Sequence, residues 1–238
     1  MDERKSVSGK IAVLVIDDEP FVRRLVVKLL NVVGFRNIIE AEDGSSGLRY
    51  LEHSEVGLVM LDIKMEPMNG LDFLKTVRTG RSGASRDLPI IVLTALEDDK
   101  VLGTALALDC DGFLNKPSTP KAIAKMIQRV LTTKATVRRT LAYEFISTDA
   151  ICGNKSDPML TESLLIVPEG KTSVIPIQDL HAGVCLTEHI FSKNGHILLP
   201  AGLPLTESLI HSLGDLSSVV GVKEVEVVQA LTPFGTID

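Results

Sequence analysis

Apolar positions in the first 131 residues follow two alternating rhythms. Short apolar runs at Ile11–Ile16, Asn37–Ala41, Gly57–Leu61, Pro89–Leu93 and Gly112–Leu114 have the length and density of strands buried in a parallel sheet. Between the first two, Phe21, Val22, Leu25, Val26, Leu29 and Leu30 recur at helical spacing, and Gly34 stands where a C-terminal cap is expected. Ile123, Met126, Ile127, Val130 and Leu131 form a second stripe, and helices near 44–53, 70–79 and 97–108 complete five strand-helix units. Such alternation predicts an α/β fold with a parallel sheet covered on both faces.

Beyond Leu131 the texture changes. Residues 132–172 read as a linker, polar and weakly periodic; its Arg138-Arg139 pair has the chemistry to touch phosphate but reads as ordinary linker chemistry in an acidic region. From residue 173 to 238 the pattern predicts a small β-rich module: strands at Ser173–Ile177, Val184–Phe191, His196–Leu199 and Val222–Val228, with a helix near Thr206–Leu213. Asn194-Gly195 between two apolar runs is a strong hairpin signal. The expected domains are therefore 1–131, a linker at 132–172, and 173–238.

Composition narrows the function. At 238 residues with 45% hydrophobic and 24% charged positions, the chain can bury a substantial core and is not a disordered or disulfide-stapled sequence. The net charge is -6, and residues 134–238 hold 7 of the 25 basic but 12 of the 31 acidic residues, so a nucleic-acid-binding output is disfavoured. Three cysteines, Cys110, Cys152 and Cys185, suit a reducing compartment. No apolar run approaches the roughly 20 residues of a membrane span, and the expectation is a cytoplasmic protein.

In parallel α/β sheets, ligands bind outside the carboxyl ends of the strands. Asp17 and Asp18 follow the first run, Asp62 the third, Thr94 the fourth and Lys116 the fifth. Any one of these alone is ordinary helix-cap or loop chemistry. Three carboxylates converging on one edge repel one another and are tolerable chiefly around a hard divalent cation, and oxygen-only ligation with an open position suits Mg²⁺.

With Val15-Ile16-Asp17-Asp18-Glu19-Pro20, Met60-Leu61-Asp62-Ile63-Lys64-Met65, Met68-Asn69-Gly70, Leu93-Thr94-Ala95 and Asn115-Lys116-Pro117-Ser118 in place, Ile11–Leu131 resembles the receiver domain of two-component response regulators. The resemblance implies a flavodoxin-like five-stranded sheet of order 2-1-3-4-5, followed here by a second, smaller β-rich α+β domain. It makes Asp62 the acceptor of a phosphoryl group from a sensor histidine kinase or phosphotransfer protein. Asp17, Asp18, Asp62 and the main-chain carbonyl of Lys64 would hold Mg²⁺, and Thr94 and Lys116 would contact the phosphoryl oxygens. Phe113 would be the aromatic switch residue answering Thr94. On this reading the chain is not an enzyme beyond accepting and slowly losing its phosphoryl group.

Departures from the family pattern are Glu66 where proline is usual, with Pro67 after it; apolar Leu96, expected to slow water access; Asp109-Cys110 where small residues are common; and a long Gly/Ser/Arg-rich connection from Arg78 to Arg86.

From Asp179-Leu180-His181 through Leu205-Thr206-Glu207, the back half is similar to an accessory β module found with HD-GYP cyclic di-GMP phosphodiesterases. The catalytic part is missing, since the chain has neither a His-Asp dipeptide nor Gly-Tyr-Pro. His181, His189 and His196 match no standard ligand spacing and read as solvated or capping. The expected output is a downstream protein partner in cyclic di-GMP or motility signalling, with no nucleic acid and no membrane. A transcription regulator with an unrecognised DNA-binding end and a passive phosphate sink are the alternatives, and a homodimer is left open.

Overall fold

A computed structural model describes residues 11–95, 98–133, 137–138, 140–144, 146–148 and 167–229. Leu96, Arg139, Cys152 and the part of the expected linker at 149–166 lie outside the described residues. The chain divides into two compact units, one of Met1–Ala95 with Asp111–Ala135 and the other of Leu96–Cys110 with Thr136–Asp238.

The first unit is built on a parallel sheet of β1 (Val13–Ile16), β2 (Ile38–Ala41), β3 (Leu58–Asp62), β4 (Ile90–Thr94) and β5 (Gly112–Asn115), in the order β2-β1-β3-β4-β5. Every residue of β1 is buried, as are four of five in β3 and in β4, which explains why these strands read as unbroken apolar runs. Around them lie α1 (Pro20–Val33), α2 (Gly44–His53), α3 (Gly70–Arg78) and α5 (Pro120–Thr132). Pro20 occupies the first turn of α1, and Gly34, at φ 106, closes it with its N–H on the Asn31 and Leu30 carbonyls, as the spacing predicts. Val26 and Leu30 of α1 join Ile123, Met126, Ile127 and Val130 of α5 in one apolar cluster with β1, β3 and β4.

The long Arg78–Arg86 connection is pinned by a buried ion pair. The Arg78 guanidinium donates to the Arg86 carbonyl (2.7 Å), the Leu88 carbonyl (2.9 Å) and Asp111 Oδ2 (2.8 Å). Asp111 Oδ2 also accepts the Ile90 N–H at 2.8 Å, so one carboxylate fixes both the loop and the start of β4.

The second unit contains α4 (Asp99–Ala107), α6 (Thr140–Glu144), α7 (Glu207–Asp215) and two antiparallel sheets. β6 (Thr172–Pro176), β10 (Glu224–Gln229) and β7 (Val184–Leu186) pair in the order β6-β10-β7, and β8 (Ile190–Phe191) pairs with β9 (Ile197–Leu199) around the Asn194-Gly195 turn, where Gly195 has φ 82. The single strand expected over Val184–Phe191 is two strands in different sheets. Thr187, just past β7, bonds back to the Glu226 carbonyl through both its N–H (3.0 Å) and its hydroxyl (2.9 Å), ending one ladder before the next begins. Arg138 is a second correction. Read as ordinary linker chemistry, it is in fact buried, as are Tyr143 and Ile146 in the same stretch. Among the described residues, no helix is long and apolar enough to cross a membrane.

Candidate functional site

The sheet register brings the expected residues to one edge. Ile16 lies opposite Leu61, Asp62 opposite Leu93, and Thr94 opposite Asn115. Strands β3 and β4 each run one residue beyond their apolar runs, so Asp62 and Thr94 are terminal strand residues held by the ladder. Asp17 and Lys116 follow β1 and β5 directly, and the Lys116 N–H donates to the Thr94 carbonyl at 2.8 Å.

Asp17 is fully buried and both its oxygens are engaged. Oδ1 accepts the Glu19 N–H (3.0 Å) and Oδ2 accepts from Lys116 Nζ (2.7 Å). The same Nζ donates to Asp62 Oδ1 at 2.7 Å, while Asp18 is exposed at the rim. Ligand oxygens of Asp17, Asp18 and Asp62 all lie within 4.8 Å of one another. One ammonium thus bridges two of three crowded carboxylates. This donor set is hard and all-oxygen, and it carries more negative charge than Lys116 balances, which fits a small divalent cation.

Burial is the largest influence on Asp62 and pushes its carboxyl above the usual range; the nearby Lys116 opposes that shift and the Asp17 charge adds to it. For Lys116 burial works against the charged form, but Asp62 and Asp17 outweigh it and hold the ammonium above its ordinary value.

Two residues shape this edge in ways the sequence reading did not assign. Arg23 Nη1 donates to the Asp17 carbonyl at 2.6 Å while its Nε reaches Glu40 at 3.3 Å, bracing the turn that carries Asp17 and Asp18. Gly70 opens α3 with its N–H on the Ile63 carbonyl at 2.9 Å, and a Cβ there would stand 2.1 Å from the Asp62 carbonyl oxygen. Only glycine lets the helix start so close to the strand end. The Met68-Asn69-Gly70 motif carried that signal, and the Asn69 side chain caps the helix by accepting the Asp72 N–H at 2.9 Å.

Lys64 is exposed just past β3, Thr94 is half-buried, and Phe113 is buried in mid-β5 opposite Val92. The histidines do not gather. His189 Nδ1 accepts the Ala201 N–H at 2.9 Å, His181 lies against the Ala182 carbonyl, and His196 is 3.7 Å from Asp99.

The sequence is similar to known proteins over its first half. Residues 13–128 match the response regulator receiver domain. A probable chemotaxis protein CheY of Rhizobium etli is 33% identical over 125 residues, covering 52% of this chain and 95% of that protein. A probable transcriptional regulator ycf27 of Porphyridium aerugineum is 35% identical over 122 residues, covering 51% of this chain and 48% of the regulator, so the chain spans about half of that relative's length. Among solved structures, chemotaxis protein CheY4 of Vibrio cholerae is similar with a TM-score of 0.46 and 28% identity, covering 50% of this chain and 98% of that one.

Proposed function

Because the chain belongs, over residues 13–128, to the response regulator receiver family, we propose that it is a two-component switch whose phosphoacceptor is Asp62. The observation that carries this reading is the Asp17, Asp18 and Asp62 cluster with Lys116 Nζ 2.7 Å from two of its members.

The donor is the phosphohistidine of a sensor kinase or phosphotransfer protein. An Asp62 carboxylate oxygen attacks phosphorus, a P–O bond forms as the P–N bond breaks, and the imidazole leaves with the electron pair. Asp62 is already a carboxylate, so no separate base is needed. Lys116, held charged by its neighbours, stays within reach of the transferred oxygens, and the Thr94 hydroxyl at the end of β4 supplies a second donor. Asp17, Asp18, Asp62 and the Lys64 carbonyl would hold Mg²⁺, which when bound neutralises charge on the phosphoryl group. The proposed switch pairs Thr94 with Phe113.

The C-terminal module, which resembles the accessory module of HD-GYP phosphodiesterases, relays the switch to a protein partner, with cyclic di-GMP signalling the favoured setting. The acidic balance of residues 134–238 disfavours a DNA-binding output.

Labelling with radioactive acetyl phosphate or a phosphorylated kinase tests the acceptor. Asp62→Asn should abolish incorporation while the variant stays folded by circular dichroism, and persistent labelling refutes the assignment.

A further inference from the structure

Helix α4 lies inside the matched family span, yet it groups with the C-terminal unit. Eight of its nine residues are buried, and it packs against β9 and α7. At Gly103 the approach is to backbone: a Cβ there would stand 2.9 Å from the Ile197 carbonyl oxygen and 3.2 Å from Leu198 Cα. Asn194 Nδ2 donates to Asp99 Oδ2 at 2.9 Å at the start of the helix.

The end of α4 is held by a buried polar cluster. Asp109 adopts φ 52, a left-handed conformation that aspartate tolerates better than most residues. Its carboxylate accepts from Arg138 Nε (2.8 Å), the Tyr143 hydroxyl (2.6 Å) and the Thr206 hydroxyl (3.3 Å). Arg138 also donates to the Ala107 carbonyl, and its N–H reaches the Tyr143 hydroxyl at 2.7 Å. The Ser212 hydroxyl donates to the Cys110 carbonyl at 2.7 Å. Asp109, Arg138, Tyr143, Thr206 and Ser212 are all buried.

One residue further, Asp111 belongs to the other unit and answers to Arg78 at 2.8 Å. Two aspartates separated only by Cys110 are therefore anchored by buried arginines of different units. At the opposite end of the segment, Ala95 follows Thr94 directly.

Resting on the receiver reading above, we infer that the C-terminal unit is the in-chain reader of the Asp62 site, holding α4 as an element of its own core through the Asp109–Arg138–Tyr143–Thr206 latch. A change at Thr94 reaches this segment through Ala95, and the latch passes it on because a buried, multiply bonded charge pair resists being left half-made. By thermodynamic reciprocity, what happens to the latch acts back on the site.

Hydrogen exchange of the full-length protein with Mg²⁺ and beryllofluoride tests this. In the wild type, peptides covering 58–66 should respond, and those covering 197–199 and 207–215 should change exchange rate by about five-fold or more, the lower end of ordinary coupling. Arg138→Met should abolish the C-terminal response while residues 58–66 still respond. An unchanged C-terminal unit in a wild type whose site responds, or a full C-terminal response in Arg138→Met, overturns the latch and leaves the receiver reading intact. A wild-type site that does not respond overturns both. If Arg138→Met does not fold, Ser212→Ala removes one bond of the cluster and should weaken the response, and an undiminished response overturns the inference.

Discussion

Lys116→Met isolates the electrostatics of the site. Methionine keeps most of the apolar stem and removes the ammonium that lies 2.7 Å from both Asp17 Oδ2 and Asp62 Oδ1. Three carboxylates with ligand oxygens within 4.8 Å then lose the ammonium that bridges two of them. Two unit charges at that separation repel by about 3.5 kcal/mol at an effective dielectric near 20, against about 1 kcal/mol in water. Asp17 is fully buried and keeps only the Glu19 N–H, so the variant approaches the case of a buried pair broken by removing one partner, which costs about 3–5 kcal/mol. The Lys116 side chain is 25% exposed, which places the loss toward the lower end of that range. A divalent cation should replace the missing charge and bind the variant more tightly than the wild type, each tenfold gain in affinity adding about 1.4 kcal/mol of stability at saturation. The chain has no tryptophan, so urea unfolding is followed by circular dichroism, with chelator and with saturating Mg²⁺. Lys116→Met should unfold at clearly lower urea in chelator and recover more than the wild type when Mg²⁺ is added. Equal stability in chelator, or equal recovery in Mg²⁺, would refute this account of the charge balance.

Two further substitutions probe the frame around the site. Gly70→Ala places a Cβ 2.1 Å from the Asp62 carbonyl oxygen and 2.8 Å from Ile63 Cα, both backbone, so it should cost about 1–3 kcal/mol or more and slow acetyl phosphate labelling; wild-type values for unfolding and labelling would refute that. Arg78→Met removes the cation from the buried Asp111 carboxylate, which keeps the Ile90 N–H, and a donor from each of two carbonyls; it should lower unfolding free energy by about 3 kcal/mol, with an unchanged urea midpoint as the refuting result.

What the sequence made legible follows from which interactions leave a local trace. Strands β1, β3 and β4 are buried on both faces, so each appears as an apolar run with its chemistry just beyond, and the edge holding Asp17, Asp62, Thr94 and Lys116 is legible in the pattern alone. Their pairing was different. Lys116 and Asp17 are 99 residues apart; the strand pattern put both at one sheet edge, but the ion pair between them leaves no local trace, and the resemblance to a known family gave each its role. That resemblance ends before Arg138 and could not join it to Asp109. Arg138 stands in a polar, weakly periodic stretch, the composition of a solvated linker, and nothing near it in sequence discloses a carboxylate 29 residues upstream or a threonine hydroxyl 97 residues beyond that carboxylate. Helix α4 posed the same problem in apolar form, since Val101, Leu102, Ala105 and Leu106 predict burial without naming the surface that buries them. Asp109-Cys110, where small residues are usual, was the one local sign. A charged residue in such a place is stable only with a buried partner elsewhere, so each departure of this kind from a family pattern is a reason to look for a contact the family does not share.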